Sequence, residues 1–297
     1  MRRLLFKMRN LYSAFFLLFG GMVSLAGGVT LYPMDGGNLR RENHALSPSS
    51  ITMPLKLKWS APTSPITSGD YTTPAGGPIV LTDRVIQCFM NVVLCTDRGT
   101  GVRLWQWSSP DAKIYYTPTY DPDRNVVYVC RMDGSTYCLS PQTGNVLWHY
   151  QESPTSAMFC SPVYAEGKIF TGNGSAGLVC VDPDTHQAVW HFNFSDYFGY
   201  SFQDPIEAPA YDNGYLYFTT RTGHFFCLKS SDGTCVWHAF TSCWRQNGLL
   251  LSDDYVYALN NKVDLECRKR SDGSLVWKTN IAEGAIEPSD SNLAICG

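Results

Sequence analysis

The sequence predicts an all-β fold: a β-propeller of four-stranded antiparallel blades, about six in number with one incomplete. Three observations carry that expectation. Tryptophans recur at Trp105, Trp148, Trp190, Trp237 and Trp277, with gaps of 43, 42, 47 and 40 residues, and a repeat of this length marks a solenoid, propeller or array. Each tryptophan closes the same phrase. Cysteine stands ten residues earlier (Cys95, Cys138, Cys180, Cys227, Cys267), Thr or Asp five earlier, and glycine four earlier, with His186 the one exception. Between these landmarks run short alternating apolar stretches bounded by turn pairs such as Asp133-Gly134, the signal of hairpins. Helical periodicity is expected nowhere after the amino-terminal segment.

The chain begins with a different kind of segment. Residues 1–26 carry Arg2, Arg3, Lys7 and Arg9, then an apolar run, then Ser24-Leu25-Ala26, the layout of a cleavable signal peptide. The alternative is an uncleaved anchor through residues 11–29, which is just long enough to span a membrane. Residues 27–54 are an irregular lead-in with several prolines and glycines. The propeller is expected over residues 55–297, its first strand ending at Trp59. In the second repeat the four strands are expected near Tyr116–Tyr120, Asn125–Arg131, Ser135–Ser140 and Asn145–Tyr150, and the third and fourth repeats follow the same scheme. Each Thr/Asp-Gly pair turns the chain, because glycine reaches positive φ without steric cost. Each tryptophan then supplies a large ring to lock neighbouring units. Pro288 and Leu293–Gly297 match the start of another repeat, so the last repeat reads as truncated. A six-blade ring would combine that strand with the Trp59 strand; the other reading is an open arc or a truncated product.

The phrase from Cys138 to Trp148 resembles the tryptophan-docking repeat of the pyrroloquinoline-quinone-type propellers: a small residue, an Asp two later, a Thr-Gly turn, then Trp. Asp97 and Asp182 keep the aspartate, Ser140, Lys229 and Lys269 depart from it, and cysteine stands where that family more often has alanine. The resemblance covers roughly residues 35–297 and is nearest to the non-catalytic outer-membrane assembly propellers. It implies the fold, and for function it implies two classes. One is a non-catalytic scaffold. The other is a quinone-dependent alcohol or sugar dehydrogenase, whose cofactor would be pyrroloquinoline quinone with calcium; the adjacent cysteine pair that many such enzymes carry is absent here.

Eleven cysteines in an exported chain ordinarily raise the question of disulfides. The five in register belong to different blades, roughly 10 Å apart, beyond the ~7 Å Cα reach of a bridge, and so read as small buried apolar residues. Pairing among Cys88, Cys130, Cys160, Cys235, Cys243 and Cys296 stays open. Cys130 and Cys138 flank the Asp-Gly hairpin and are expected on opposite sheet faces. His149, His191 and His238 each follow a tryptophan, but on the outer strands of different blades, so they are not expected to converge on a metal.

The longest repeat carries an aromatic insertion at residues 191–204. Its Phe194, Asp196, Tyr197, Phe198, Tyr200 and Phe202, with Trp244 and Arg245 from the next equivalent loop, form the candidate binding face; Asp204 is a further polar candidate. The competing reading is that these rings plug a channel or cap a blade. No catalytic, cofactor-binding or metal residues are assigned, and no cofactor is expected outside the quinone alternative. Removing the four basic residues of the signal takes the net charge from −3 to −7, which argues against a nucleic-acid partner. The expected function is an exported (periplasmic, secreted or outward-anchored) non-catalytic scaffold that presents a binding face to a protein, glycan or envelope partner. The alternatives are the quinone enzyme and a fragment of a larger propeller protein.

Overall fold

The computed structural model describes residues 60, 76–110, 113–114, 116–151, 160–173, 175–206, 208–241, 246–260 and 264–280. The segments where a signal peptide, the lead-in, the Trp59 strand and a carboxy-terminal strand are expected lie outside the described residues. Five four-stranded antiparallel sheets follow one another, each with its strands in chain order. Blade 1 is β1 Ile79–Val80, β2 Arg84–Phe89, β3 Val92–Asp97 and β4 Arg103–Ser108. Blade 2 is β5 Thr119–Asp121, β6 Val126–Cys130, β7 Thr136–Leu139 and β8 Val146–Tyr150. Blade 3 is β9 Val163–Ala165, β10 Lys168–Gly172, β11 Gly177–Asp182 and β12 Gln187–Asn193. After it comes the helix α1, Phe194–Phe198. Blade 4 is β13 Ala210–Asp212, β14 Tyr215–Thr219, β15 His224–Lys229 and β16 Cys235–Phe240. Blade 5 is β17 Gln246–Leu251, β18 Tyr255–Asn260, β19 Asp264–Lys269 and β20 Leu275–Asn280. First strands of successive blades are neighbours, β5 beside β9, β9 beside β13 and β13 beside β17. The expectation of no helix beyond the amino-terminal segment is corrected by α1. Five residues are too few to show a helical period.

The repeated phrase builds one turn five times. The residue at the Gly or His186 position donates its backbone N–H to the carbonyl four residues back: Gly101 to Asp97, Gly144 to Ser140, His186 to Asp182, Gly233 to Lys229 and Gly273 to Lys269, at 2.8 to 3.0 Å. All five have φ between 59° and 75°, the left-handed region that glycine enters freely. Directly across the third and fourth strands the register cysteine faces the tryptophan: Cys95 opposite Trp105, Cys138 opposite Trp148, Cys180 opposite Trp190, Cys227 opposite Trp237 and Cys267 opposite Trp277. The ladder slips by one residue just after each of these pairs. A small side chain opposite an indole leaves the ring room to lie against the next sheet. The five cysteines are buried, and burial pushes the thiols of Cys95, Cys138, Cys180 and Cys227 up to about 12. The nine described cysteines are free thiols.

The tryptophans dock forward. Trp105 Nε1 donates to the Pro141 carbonyl of blade 2 at 2.8 Å, Trp190 Nε1 to Ser230 of blade 4 at 2.9 Å and Trp237 Nε1 to Arg270 of blade 5 at 2.8 Å. Each acceptor lies three residues before the turn glycine, and each ring lies flat on that glycine. A Cβ at Gly144, Gly233 or Gly273 would meet the indole Cε3 at 2.5 to 2.6 Å. Glycine is therefore needed twice over, for φ and for contact. In the copy that has His186, the imidazole itself stacks on Trp148, ring centroids 4.6 Å apart. Trp277, in the last described blade, is 41% exposed against 7–9% for Trp105, Trp190 and Trp237.

Each docked ring has a polar latch beside it. Arg84 Nη1 donates to the Pro141 carbonyl at 2.6 Å, Arg124 pairs with Asp184 at 2.7 Å, Ser230 Oγ donates to Glu166 at 2.7 Å and Arg270 pairs with Asp212 at 2.6 Å. In every case a residue at the first hairpin of one blade grips the last hairpin of the next. The register also corrects the placement of Cys130. Cys138 lies opposite Tyr128 and Cys130 opposite Thr136, so the two thiols share a sheet face, two residues out of step.

Candidate functional site

The insertion after Trp190 becomes a wedge between blades 3 and 4. β12 runs on to Asn193, and the chain then coils into α1, closed by Gly199 at φ 73° with its N–H on the Ser195 carbonyl. The wedge is stitched to its own blade by Phe194 N to Ala176 O at 2.8 Å and by Asp204 N to Ser175 O at 2.7 Å. Ser195 Oγ closes it internally, accepting from Phe202 N at 3.0 Å. It is tied to blade 4 by Arg221 N to Pro205 O at 3.0 Å. Asp204 completes that tie, accepting from Thr222 N at 3.1 Å and from Thr222 Oγ1 at 2.5 Å. The insertion thus sits on the β10–β11 and β14–β15 hairpins.

The rings of this wedge are graded from core to surface. Phe194 is fully buried in the blade 3–4 core with Phe192, Phe218 and Phe226. It is withdrawn as a binding-face residue: its ring is the floor of the wedge, held inward because its own N–H is tied to Ala176. Phe198 and Phe202 are half-buried and pack edge to face at 4.8 Å. Tyr197 and Tyr200 are 41% and 59% exposed. Asp196 is exposed and accepts from Asn193 Nδ2 at 3.1 Å. Asp204, by contrast, is buried beneath Thr222 and does not face a ligand. Trp244 and Arg245 lie outside the described residues.

Blade 4 completes the face with residues the sequence reading did not assign to it. Phe240 at the end of β16 is 60% exposed. His224 at the start of β15 and His238 on β16 meet through Nδ1 and Nε2 at 2.8 Å. Phe226 stacks on His238 at 4.5 Å, while Phe198 lies 5.0 Å from His224. Burial holds His224 below the usual imidazole range, with Asp204 opposing it. Burial and the neighbouring His224 push His238 down to about 4. Both shifts favour the neutral imidazole, and the facing nitrogens share one hydrogen bond. His149 instead stacks on Tyr137 in blade 2, ring centroids 5.1 Å apart, so the three histidines that follow tryptophans are not brought together. The legible hint was the His-x-Phe alternation of His238 and Phe240 in an outer strand; His224 lies across the same β15–β16 hairpin and carries no local mark.

A sequence-family model described as outer membrane protein assembly factor BamB matches residues 58–279, about three-quarters of the chain. The chain belongs to the BamB family. Solved structures agree in fold. The quinohemoprotein alcohol dehydrogenase from Comamonas testosteroni is 14% identical with a TM-score of 0.67, over 88% of this chain and 50% of its own. A europium-containing methanol dehydrogenase is 13% identical with a TM-score of 0.67, over 86% and 58%. The computationally designed Ika8 protein is 13% identical with a TM-score of 0.58, over 69% and 61%. The chain thus spans between half and about three-fifths of the length of these structures. At such identities the likeness speaks of the fold alone. No curated protein gives a significant match.

The two dehydrogenases raise the question of a quinone and its metal. Calcium takes about six oxygen ligands, mostly carboxylates and carbonyls. Among the described residues no group of three or more His, Cys, Asp or Glu side chains is placed to hold a metal ion. Of the buried carboxylates, Asp121 is engaged by Tyr128 and Arg124 and Glu266 by Arg268, while Asp204, bonded through Oδ2 to Thr222, stands without a second acidic ligand beside it. The described residues do not fit the group, and no step is derived through it.

Proposed function

We propose that the protein is an exported, non-catalytic propeller that presents the α1 face to a protein partner of the cell envelope. Membership of a family described as an outer membrane assembly factor supports this class, and the basic-then-apolar start of the chain supports export. Among the described residues no helix is long and apolar enough to cross a membrane. The observation that carries the reading is the joint exposure of Tyr197 and Tyr200 on the wedge and of Phe240 at the adjoining end of β16. Large aromatics on a pre-ordered surface bind with little ordering cost, and tyrosine is among the residues that dominate interface energetics.

The test is a photo-crosslinking amino acid placed at Tyr200 or Phe240 in cells, with Leu147 on the blade 2 rim as the comparison site. A discrete adduct with an outer-membrane assembly component from the α1 positions, lost when Tyr197 is changed to Ala, supports the proposal. Equal labelling from all three sites overturns it. Dye-linked alcohol oxidation by the purified protein, with quinone and calcium added, would replace it with the dehydrogenase reading.

A further inference from the structure

Lys229 and Lys269 break the pattern of the repeat, and nothing in the scaffold requires them. In blades 1 and 3 the equivalent residues are Asp97 and Asp182. Asp97 stands opposite Arg84, and Asp182 pairs with Lys168 at 3.2 Å, so a basic residue of the second strand meets an acid of the third. In blades 4 and 5 both partners are different: Tyr215 stands opposite Lys229 and Tyr255 opposite Lys269. The turn that follows forms equally well in all four blades, with the same backbone bond at 2.8 to 3.0 Å. Tyr215, Tyr255 and Lys269 line a cleft of about 650 Å³ between blades 4 and 5. It opens beside the β13–β14 and β17–β18 hairpins, at the end of the blades opposite α1. We propose that this cleft is a binding site for a short neutral oligosaccharide.

Three features support this. The first is rigidity. Arg270 at the back of the cleft donates to the Asp212 carboxylate at 2.6 Å, to the Tyr217 hydroxyl at 3.2 Å and to the carbonyls of Ser252 and Asp253 at 2.9 and 3.0 Å. The two walls are thus held together before anything binds, and a pre-ordered site loses little freedom on binding. The second is the chemistry of the lining. Tyr215 is 37% exposed and Tyr255 is half-buried. The hydroxyls of both, the Lys269 ammonium and the Asp254 carboxylate form no side-chain hydrogen bond among the described residues. A phenol ring has an apolar face and a polar tip. The C–H face of a sugar ring can pack on it, while the sugar hydroxyls donate to a carboxylate and accept from an ammonium. The third is charge and size. Lys269 and Arg270 are balanced by Asp253 and Asp254 in the lining, so the local field draws in neither anions nor cations. The volume falls within the range of small-molecule sites, about 300–1,000 Å³, and leaves room for more than one sugar ring. The site stands whether or not α1 receives a partner.

The experiment is titration of the full chain with maltotriose, cellotriose and triacetylchitotriose, followed in nitrogen-edited NMR spectra, with trigalacturonate as the anionic comparison. The expected result is that at least one neutral trisaccharide shifts the amide resonances of residues 213–217, 253–255 and 269–271 and leaves those of α1 in place. Its affinity should fall about tenfold or more in both Tyr215→Ala and Tyr255→Ala, and should be largely retained in Tyr215→Phe, which keeps the ring. Tyr197→Ala should leave it unchanged, which separates this site from the partner-binding reading. No shifts with any of the three, shifts confined to residues elsewhere, or tighter binding of trigalacturonate overturns the proposal, as does an affinity unaltered in both alanine variants. The wild-type spectra decide the matter even if a variant fails to fold.

Discussion

Replacing Gly233 by alanine tests what holds adjacent blades together. Gly233 is at φ 72°, and a side chain held in the left-handed region costs about 1–2 kcal/mol. An added Cβ would also lie 2.6 Å from Trp190 Cε3. The ring must move, which costs roughly 1–3 kcal/mol as overpacking and draws its Nε1 away from the Ser230 carbonyl. The sum is about 2–5 kcal/mol. Gly167 provides the control. It has the same φ of 72°, but an added Cβ would meet nothing within 4 Å. Gly167→Ala should therefore cost only the strain, about 1–2 kcal/mol. Urea unfolding followed by tryptophan fluorescence and by circular dichroism measures both, coincidence of the two probes checking that a single free energy is meaningful. Equal losses for Gly233→Ala and Gly167→Ala, within about 0.5 kcal/mol, would refute the reasoning, because the docked ring would then contribute nothing at that glycine.

Other consequences follow from the same geometry. Trp190→Ala should cost about 3–5 kcal/mol as a buried large-to-small change, and Trp277→Ala less than half as much, since that ring is 41% exposed; thermal denaturation of the two variants compares them. Arg270→Ala removes the guanidinium that bonds both the Asp212 carboxylate and the Tyr217 hydroxyl between blades 4 and 5, and should cost about 2–4 kcal/mol in urea unfolding. His238 is pushed down to about 4 in the fold from about 6.5 in an unfolded chain, so the unfolded state binds more protons in that interval. The stability is complete above pH 6.5 and is lost as the pH falls through 6.5 towards 4. The loss should be roughly 1–2 kcal/mol after allowance for solvent screening of a half-exposed group. His238→Phe should flatten this part of the stability profile, and an unchanged slope would contradict the assignment.

The scaffold was legible because its determinants are local and repeated. The Thr/Asp-Gly pair fixes a turn within five residues, and the cysteine opposite each tryptophan follows from strand register, so the strands of blades 2 to 4 fall within a few residues of where the sequence put them. Docking direction was not legible, because the partner of Trp190 is a glycine 43 residues away in another repeat. The same limit applies to Trp277, which shares every local feature of the others and yet is exposed. In the insertion, composition located an aromatic face but could not sort it. Phe194 and Tyr197 are both aromatic and three residues apart, and one is floor while the other is surface. A backbone tie to Ala176 decides which, and no periodicity in so short a helix announces it. His224 was missed for a related reason, since its meaning comes from His238 across a hairpin rather than from its neighbours in sequence.

The central claim is that indoles of one blade bond to the turn of the next, and hydrogen exchange at the indole Nε1–H groups tests it most directly. In nitrogen-edited NMR spectra, with each resonance assigned by its loss in a Trp→Phe variant, the account predicts slow exchange for Trp105, Trp190 and Trp237, whose N–H groups are held by Pro141, Ser230 and Arg270. Trp277, the exposed ring of the last described blade, supplies the reference for a less protected indole. Exchange at Trp190 and Trp237 as fast as at a free indole would contradict the account.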